Sequence, residues 1–382
     1  MIKEKAQNYR FLIPLAAVLS ILITYTYARS ITLLYGGIEL LLAAVSYYAI
    51  FKNIRKTEKL VLEIFAVLTV VSLLNGILRE DVKSVLLLSL SLILPIAISV
   101  LDIDFSKDGR EFCIGFLVGL GIIVLQSTTG FLGEMNSNTL GFYCYMAVSI
   151  GFIWYRQSRK KGLPLLLVIF GSFLAAGAGS RNVAIIIVLM LIFLFLPDRF
   201  FASATAYRII YVLVLSYTVF AADILTWIFS QDTLAEALTD FTSNFSDKAW
   251  EMEQRIWFLD GIKTKISRLG ILTQLFGEGI LDHHGHNMFY QSVYVYGYVG
   301  TVLIYALYVR IFEMARVLIK EDGDKAAIGS FIALIGMFLL NGADLFIIGV
   351  EACAIVPQLL MGVIMLRYRK FKQRERVQVQ TV

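Results

Sequence analysis

Charged residues are scarce in this chain: only 16% of its 382 residues are Asp, Glu, Lys or Arg, whereas 58% are hydrophobic. The mean hydropathy of +0.75 lies well above that of a soluble globular domain. This composition excludes an ordinary water-soluble fold and indicates a polytopic membrane protein.

Cysteine and proline are also rare, with three and five residues. Cys113, Cys144 and Cys353 each fall inside a hydrophobic run, so the sequence contains neither a disulfide framework nor a CxxC metal motif. No internal repeat or low-complexity tract divides the chain. We therefore interpret residues 1–382 as a single integral domain.

Long hydrophobic runs are abundant. A helix needs about 20 mostly apolar residues to cross the hydrocarbon core of a bilayer, and these runs are continuous rather than alternating, which predicts helices. The predicted fold is all-α, a polytopic membrane bundle of about 12 transmembrane helices. The candidate spans lie near residues 11–28, 30–51, 60–78, 85–101, 112–127, 139–155, 163–179, 183–197, 209–229, 287–309, 326–346 and 349–366.

The distribution of basic residues predicts the orientation. If the N-terminus lies inside, most of the 34 Lys and Arg residues fall in cytoplasmic connections, as the positive-inside rule requires. Both termini are then cytoplasmic, and the one long hydrophilic segment, residues 230–286, is an outer loop. The net charge of +5 comes from these connections and a basic tail, which indicates contact with membrane lipid and no nucleic acid.

Within the outer loop, residues 246–269 have the spacing of an amphipathic helix lying on the membrane face. Its apolar stripe consists of Met252, Ile256, Leu259 and Ile266. Arg255 flanks this stripe and is predicted to point towards a cavity. A pair with Glu251 one turn earlier is the commoner role for such an arginine.

Two other outer segments concentrate polar chemistry. Arg181 sits between two spans with almost no loop, where it either snorkels to the headgroups or helps a helix start to bind an anion. All three histidines, His283, His284 and His286, precede Asn287. A histidine there can act as a general base. The alternatives are plain interfacial histidines or a metal site, although the spacing matches no recognised zinc pattern.

Together these segments resemble the O-antigen ligase and polysaccharide polymerase superfamily of bacterial membrane glycosyltransferases. The resemblance covers most of the chain in layout. It is carried by Gly179-Ser180-Arg181-Asn182-Val183-Ala184, Arg255-Ile256-Trp257, Gly277-Glu278-Gly279, His286-Asn287-Met288-Phe289-Tyr290-Gln291, Tyr296-Gly297-Tyr298-Val299-Gly300 and Asn138-Thr139-Leu140-Gly141.

The resemblance implies an inverting, metal-independent and cofactor-free transfer at the outer face of the bacterial cytoplasmic membrane. The donor would be an undecaprenyl-diphosphate-linked oligosaccharide, and the acceptor a glycan or lipid-linked hydroxyl. Arg181 and Arg255 would bind the donor diphosphate, and His286 would deprotonate the attacking hydroxyl. The remaining candidates for substrate binding are Asn138, Asn287 and Asp344.

Several functions stay open at this point. The compact outer loop favours a polymerase, and the alternative within the family is a ligase that moves glycan to a lipid or protein acceptor. A glycolipid flippase or proton-coupled transporter would instead place ionisable groups near mid-membrane. The candidates for such groups are Glu39, Glu63, Asp223 and Asp344. A structural subunit without catalysis is the third alternative.

Overall fold

A computed structural model of the protein describes residues 32–79, 93–102, 109–129, 137–177, 180–229, 249–279, 287–342 and 355–380. Within these residues all regular structure is helical, and no strand is present. The predicted all-α class is therefore confirmed for the described part of the chain.

Most of the helices overlap predicted apolar segments, whereas three of them, at residues 198–202, 249–268 and 271–276, correspond to no predicted span. In chain order they are α1 (Thr32–Lys52), α2 (Lys59–Arg79), α3 (Gly109–Thr129), α4 (Ser137–Gln157), α5 (Gly162–Gly177), α6 (Arg181–Phe195), α7 (Asp198–Ala202), α8 (Ala204–Phe229), α9 (Ala249–Arg268), α10 (Ile271–Phe276), α11 (Met288–Asp322), α12 (Lys325–Asn341) and α13 (Ile355–Gln380). Residues 93–100 are also helical. The predicted span 11–28 lies outside the described residues.

Length and apolar composition mark one helix as able to cross a membrane, the stretch Ala204–Ala221 of α8. Three shorter apolar helices accompany it in the described residues, Gly162–Gly177, Asn182–Phe195 and Lys325–Asn341. The described residues thus contain an all-helical fold with one clear candidate for a membrane span.

The centre of the molecule is α12, which packs antiparallel against α4. The Tyr145 hydroxyl of α4 donates to the carbonyl of Ala333 at 3.0 Å, and a Cβ on Gly336 would overlap that hydroxyl. About two turns earlier in α12, Gly329 lies against the backbone of Ile153. Glycine at these positions lets the two helix axes approach closely.

Two helices extend beyond the predicted spans that they contain. The span 287–309 belongs to a helix that continues to Asp322 and ends at Gly323 with φ 59°. The last span, 349–366, belongs to a helix that reaches Gln380. In α11 the charges begin at Arg310, but one face stays apolar: Ile311, Phe312, Ala315, Leu318 and Ile319 are buried.

Ion pairs gather at the end of the bundle that the sequence predicts to be cytoplasmic. Glu58 pairs with Arg310 at 2.5 Å, and Glu313 with Arg208 and Arg316 at 2.9 and 2.7 Å. Burial opposes ionisation of Glu313, but hydrogen bonds from Arg208, Arg316 and Tyr211 outweigh it and lower its pKa to about 2. Further pairs at this end are Arg156–Asp198, Arg367–Asp324, Arg369–Asp102 and Arg374–Asp322.

Candidate active site

The starts of α4 and α6 meet at the opposite end of the bundle. A Cβ on Gly141 would overlap the side chain of Ser180, so glycine is what allows the contact. Ser180 is buried and precedes α6, whose first residue is Arg181. Asn138 is the second residue of α4. The structure therefore brings together the two helix starts that carry Asn138 and Arg181.

The end of α12 reaches the same level. The contacts of Gly329 with Ile153 and of Gly336 with Tyr145 fix the register of the antiparallel α4–α12 pair. Continued along both helices, this register places Asn341, the last residue of α12, beside Gly141. Asn341 is fully buried.

Asn287 joins three helices at this end. Its side-chain oxygen accepts from the backbone N–H of Tyr290 at 3.0 Å, which caps α11. Its amide nitrogen donates to the carbonyls of Thr218 on α8 and Gly342 after α12, at 3.1 and 2.9 Å. The residue is 0% exposed. Substrate binding by Asn287 stays a prediction, and would require these bonds to break. The structure gives the residue the role of positioning the start of α11.

The predicted amphipathic helix is present as α9. Leu259 and Ile266 of the predicted stripe are buried, together with Ile262, which the sequence interpretation did not include. Trp257 on the other face is 70% exposed. Arg255 lies in α9 about two turns before the contacts that hold this helix on the bundle.

Besides the buried apolar side chains, two lysines make those contacts: Lys265 lies 4.9 Å from the ring centroid of Tyr294, and Lys263 makes an ion pair. Its ammonium group pairs with Asp223 of α8 at 2.5 Å and lies 4.9 Å from the ring centroid of Tyr290 on α11. Burial opposes the charge on Lys263, but the bond to Asp223 and the contact with Tyr290 outweigh it and raise its pKa. Sequence reasoning noticed Asp223 only as an ionisable group near a span and missed Lys263, because a salt bridge between distant helices leaves no local pattern.

The structure describes only part of the predicted set. For Asn138, Arg181 and Arg255 it describes the backbone alone. The residues His283, His284, His286 and Asp344 lie outside the described residues. Within the described ranges, no group of three His, Cys, Asp or Glu side chains is arranged to hold a metal ion.

Comparisons with protein-family models and with curated proteins give no match for this chain. The functional argument therefore rests on the residues and their geometry. Four elements converge at one end of the bundle: the starts of α4, α6 and α11, and the end of α12. α9 packs on the same end, against α8 and α11.

Proposed function

We propose that the protein is a membrane glycosyltransferase that polymerises undecaprenyl-diphosphate-linked oligosaccharide repeats into O-antigen, capsule or exopolysaccharide. It would act at the outer face of the bacterial cytoplasmic membrane, as a bundle of about 12 transmembrane helices with both termini in the cytoplasm. The alternative within the same class is an O-antigen ligase.

Exposed apolar side chains support insertion into a membrane. On α5, α6 and α8 the exposed positions recur every three or four residues and are filled by large hydrophobic side chains. They include Leu166, Ile169, Phe173, Ile185, Val188, Ile192, Ile209, Val212 and Leu213. A water-soluble protein rarely exposes so large an apolar surface, whereas lipid tails solvate it.

The grouping of the ion pairs supports the proposed alternation of the connections between the two faces of the membrane. Each inter-helix ion pair in the described residues joins two groups that the positive-inside rule assigns to the same side. The Glu58–Arg310 and Glu313–Arg208 pairs lie at the cytoplasmic end, and Lys263–Asp223 lies at the outer end. A wrong assignment of alternate loops would have mixed the two groups.

The observation that carries the proposal is the convergence of the helix starts of Asn138, Arg181 and Asn287, with α9 and its Arg255 on the same end. Arginine forms bidentate, permanently charged contacts with phosphate oxygens. Two arginines at this end suit a diphosphate donor. The histidine that precedes Asn287 in the sequence suits a hydroxyl acceptor.

In the proposed reaction, the acceptor hydroxyl oxygen attacks the anomeric carbon of the donor sugar. The bond from that carbon to the lipid diphosphate breaks with inversion, and the hydroxyl proton passes to His286. Arg181 and Arg255 stabilise the charge on the departing diphosphate. Hydrogen bonds between charged groups contribute about 1.5–3 kcal/mol each, and general base catalysis typically gives 10²- to 10⁴-fold.

Two of the transporter candidates on described helices, Asp223 and Glu63, lie near helix ends. Asp223 pairs with Lys263 at the outer end. Glu63 is in the second turn of α2, 3.6 Å from Lys59. A proton-coupled transporter is expected to hold such groups near mid-membrane. The placement of Asp223 and Glu63 therefore favours the glycosyltransferase, whereas Glu39, the eighth of 21 residues in α1, lies inside a helix and keeps the transporter as the alternative of another class.

The decisive experiment is complementation of a deletion strain, followed by gel analysis of surface polysaccharide and lipid-linked intermediates. We expect wild type to restore the polymer ladder, whereas His286→Ala accumulates a single lipid-linked repeat. His283→Ala is the matched control and should restore the ladder. Long lipid-linked chains that never reach an acceptor would replace the polymerase by the ligase. An unchanged glycan profile in the deletion strain would contradict both.

A second pair of variants tests the arginine on α9. Arg255→Ala should abolish transfer by purified protein from a lipid-diphosphate donor, because one of the two leaving-group contacts is lost. Arg268→Ala, at the exposed end of the same helix, should transfer at the wild-type rate. Equal rates for the two variants would remove Arg255 from the mechanism.

A further inference from the structure

α11 is broken at Gly297, and the gap is filled by a distant part of the chain. Gly297 has φ 70° and ψ 177°, outside the helical region. The backbone N–H groups of Glu278 and Gly279 donate to the carbonyls of Tyr294 and Val295 at 2.8 and 3.0 Å. At the break, these two carbonyls thus accept hydrogen bonds from residues 278–279.

The two segments are interlocked through glycines. Gly277 and Gly279 have φ of 84° and 74°, a region that residues with a Cβ rarely adopt. A Cβ on Gly277 would overlap the carbonyl of Val295, and one on Gly297 would overlap the carbonyl of Leu275. We call this contact, residues 275–279 against 294–297, the glycine clamp.

Asn75 of α2 completes the clamp. Its amide nitrogen donates to the carbonyl of Phe276 at 2.8 Å, with a second contact to Gly277 at 3.4 Å. Gly279 lies directly against the Asn75 side chain. One side chain on α2 therefore satisfies the carbonyl that ends α10 and holds the clamp from the other side.

The clamp lies below the outer ends of both helices that flank it. Asn75 is four residues before the end of α2, which is roughly 6 Å of helix, and Gly297 is nine residues after the start of α11, roughly 14 Å. Gly300 of α11 faces Leu68 of α2, so the outer ends of the two helices lie at similar levels. In a hydrocarbon core about 30 Å thick, the clamp lies within the outer leaflet.

α10, which leads into the clamp, presents an apolar surface. Ile271 and Leu272 are 76% and 69% exposed, and Leu275 and Phe276 are also exposed. α10 leads directly into residues 277–279, which are hydrogen-bonded to α11 at the depth of the hydrocarbon core. Non-helical backbone occurs at that depth only where protein buries it or where it lines a water-filled cavity, and the clamp buries Gly277, Glu278 and Gly279.

We infer that residues 271–279 form a re-entrant membrane segment, in which α10 contacts lipid hydrocarbon and Asn75 is a positioning residue for the outer part of α11, residues 288–296. The segment thus belongs to the membrane domain and not to the aqueous outer loop 230–286. Its insertion rests on the membrane placement in the proposed function, but not on the transfer reaction. The effect of Asn75 on catalysis rests on both.

Nitroxide labels on single introduced cysteines test the insertion in protein reconstituted into phosphatidylglycerol–phosphatidylethanolamine vesicles. Leu272→Cys and Leu275→Cys should be accessible to oxygen and shielded from a water-soluble nickel reagent. Asp260→Cys, on the exposed face of α9, should show the reverse. Nickel accessibility at residue 272 equal to that at residue 260 would overturn the inference.

Glycine variants test the clamp. Gly277→Ala should make the label at residue 272 accessible to nickel, because the new methyl group displaces the backbone of α11. Gly270→Ala is the matched control, since a Cβ there meets nothing within 4 Å and φ is −62°. Equal nickel accessibility of the label at residue 272 in the two variants would show that the clamp does not hold the segment.

Asn75→Asp tests the positioning role with a smaller change, which keeps the size of the side chain and removes its donor. We expect kcat to fall about 10- to 100-fold, as for small misplacements of catalytic groups, with an unchanged KM for the lipid-diphosphate donor. Asn53→Ala, which removes a side-chain hydrogen bond at the other end of the bundle, should leave both constants unchanged. An unchanged kcat in Asn75→Asp would refute the positioning role. Absence of transfer in wild type would refute the proposed function, while the labelling pattern would still decide the insertion.

Discussion

Replacement of Asn287 by alanine isolates the joint between α8, α11 and α12. The change removes a helix cap, which costs about 1 kcal/mol. It also removes one hydrogen bond each from the carbonyls of Thr218 and Gly342, in a position that is 0% exposed. The Thr218 carbonyl lies inside α8 and keeps its bond within that helix. Loss of the donor to the Gly342 carbonyl costs about 1 kcal/mol, and loss of the second bond to the Thr218 carbonyl costs about 0.5–1 kcal/mol. We therefore expect a loss of about 2–3 kcal/mol, a factor of roughly 30 to 150 in the unfolding equilibrium constant.

The assay is reversible unfolding in mixed micelles by titration with sodium dodecyl sulfate, followed by tryptophan fluorescence. Asn53→Ala is the reference, because its amide makes one partly buried bond to Ala49 at 2.9 Å. It should cost less than about 1 kcal/mol. If Asn287→Ala unfolds with the same free energy as Asn53→Ala but has a raised KM, Asn287 contacts substrate and the positioning argument is wrong.

Three further changes test other contacts. The pKa of Glu313 is about 2 in the folded state against an ordinary 4.5, so its contribution to stability is complete above about pH 4.5 and lost as the pH falls towards 2. The unfolding temperature of Glu313→Gln should lie below that of wild type at neutral pH, and the two temperatures should converge as the pH falls. A constant difference between them across this pH range would contradict the argument. Gly336→Ala should lower the unfolding temperature through overlap with a tyrosine of α4, whereas Gly121→Ala, which meets nothing within 4 Å, should not. Lys263→Asp and Asp223→Lys should each speed the exchange of the backbone amide hydrogens of α9, and the double variant should restore slow exchange. Fast exchange in the double variant would argue that this ion pair does not anchor α9.

Helix positions could be predicted from the sequence because a continuous apolar run has one stable conformation in hydrocarbon. The end of α11 could not. A hydropathy window stops at the first charge, Arg310, yet the helix continues for three more turns with a buried apolar face. Its basic side chains pair with acids from other helices, and such pairing depends on packing rather than on local composition.

The candidate site shows the same division. The motif around Arg181 identifies a helix start, but only the close approach of Gly141 to Ser180 shows that α4 starts beside it. The glycines at positions 277, 279 and 297 indicate unusual backbone conformations individually. No local pattern states that residues 278–279 replace a helical turn of α11, because the two segments are joined through space.

The ion pairs at the end of the bundle that is proposed to be cytoplasmic also constrain biogenesis. Glu58 and its partner Arg310 are 252 residues apart, and Asp102 and Arg369 are 267 apart. A ribosome completes the first acid of each pair long before the arginine that neutralises it. In the proposed membrane placement, Glu58 therefore enters the bilayer before Arg310 is made, and Asp102 enters with Lys56, 3.9 Å away in the folded protein, as its earlier partner. Long-range contacts of this kind form late. A chain truncated before α11 would retain its first helices but would lack the arginines that fasten their inner ends together.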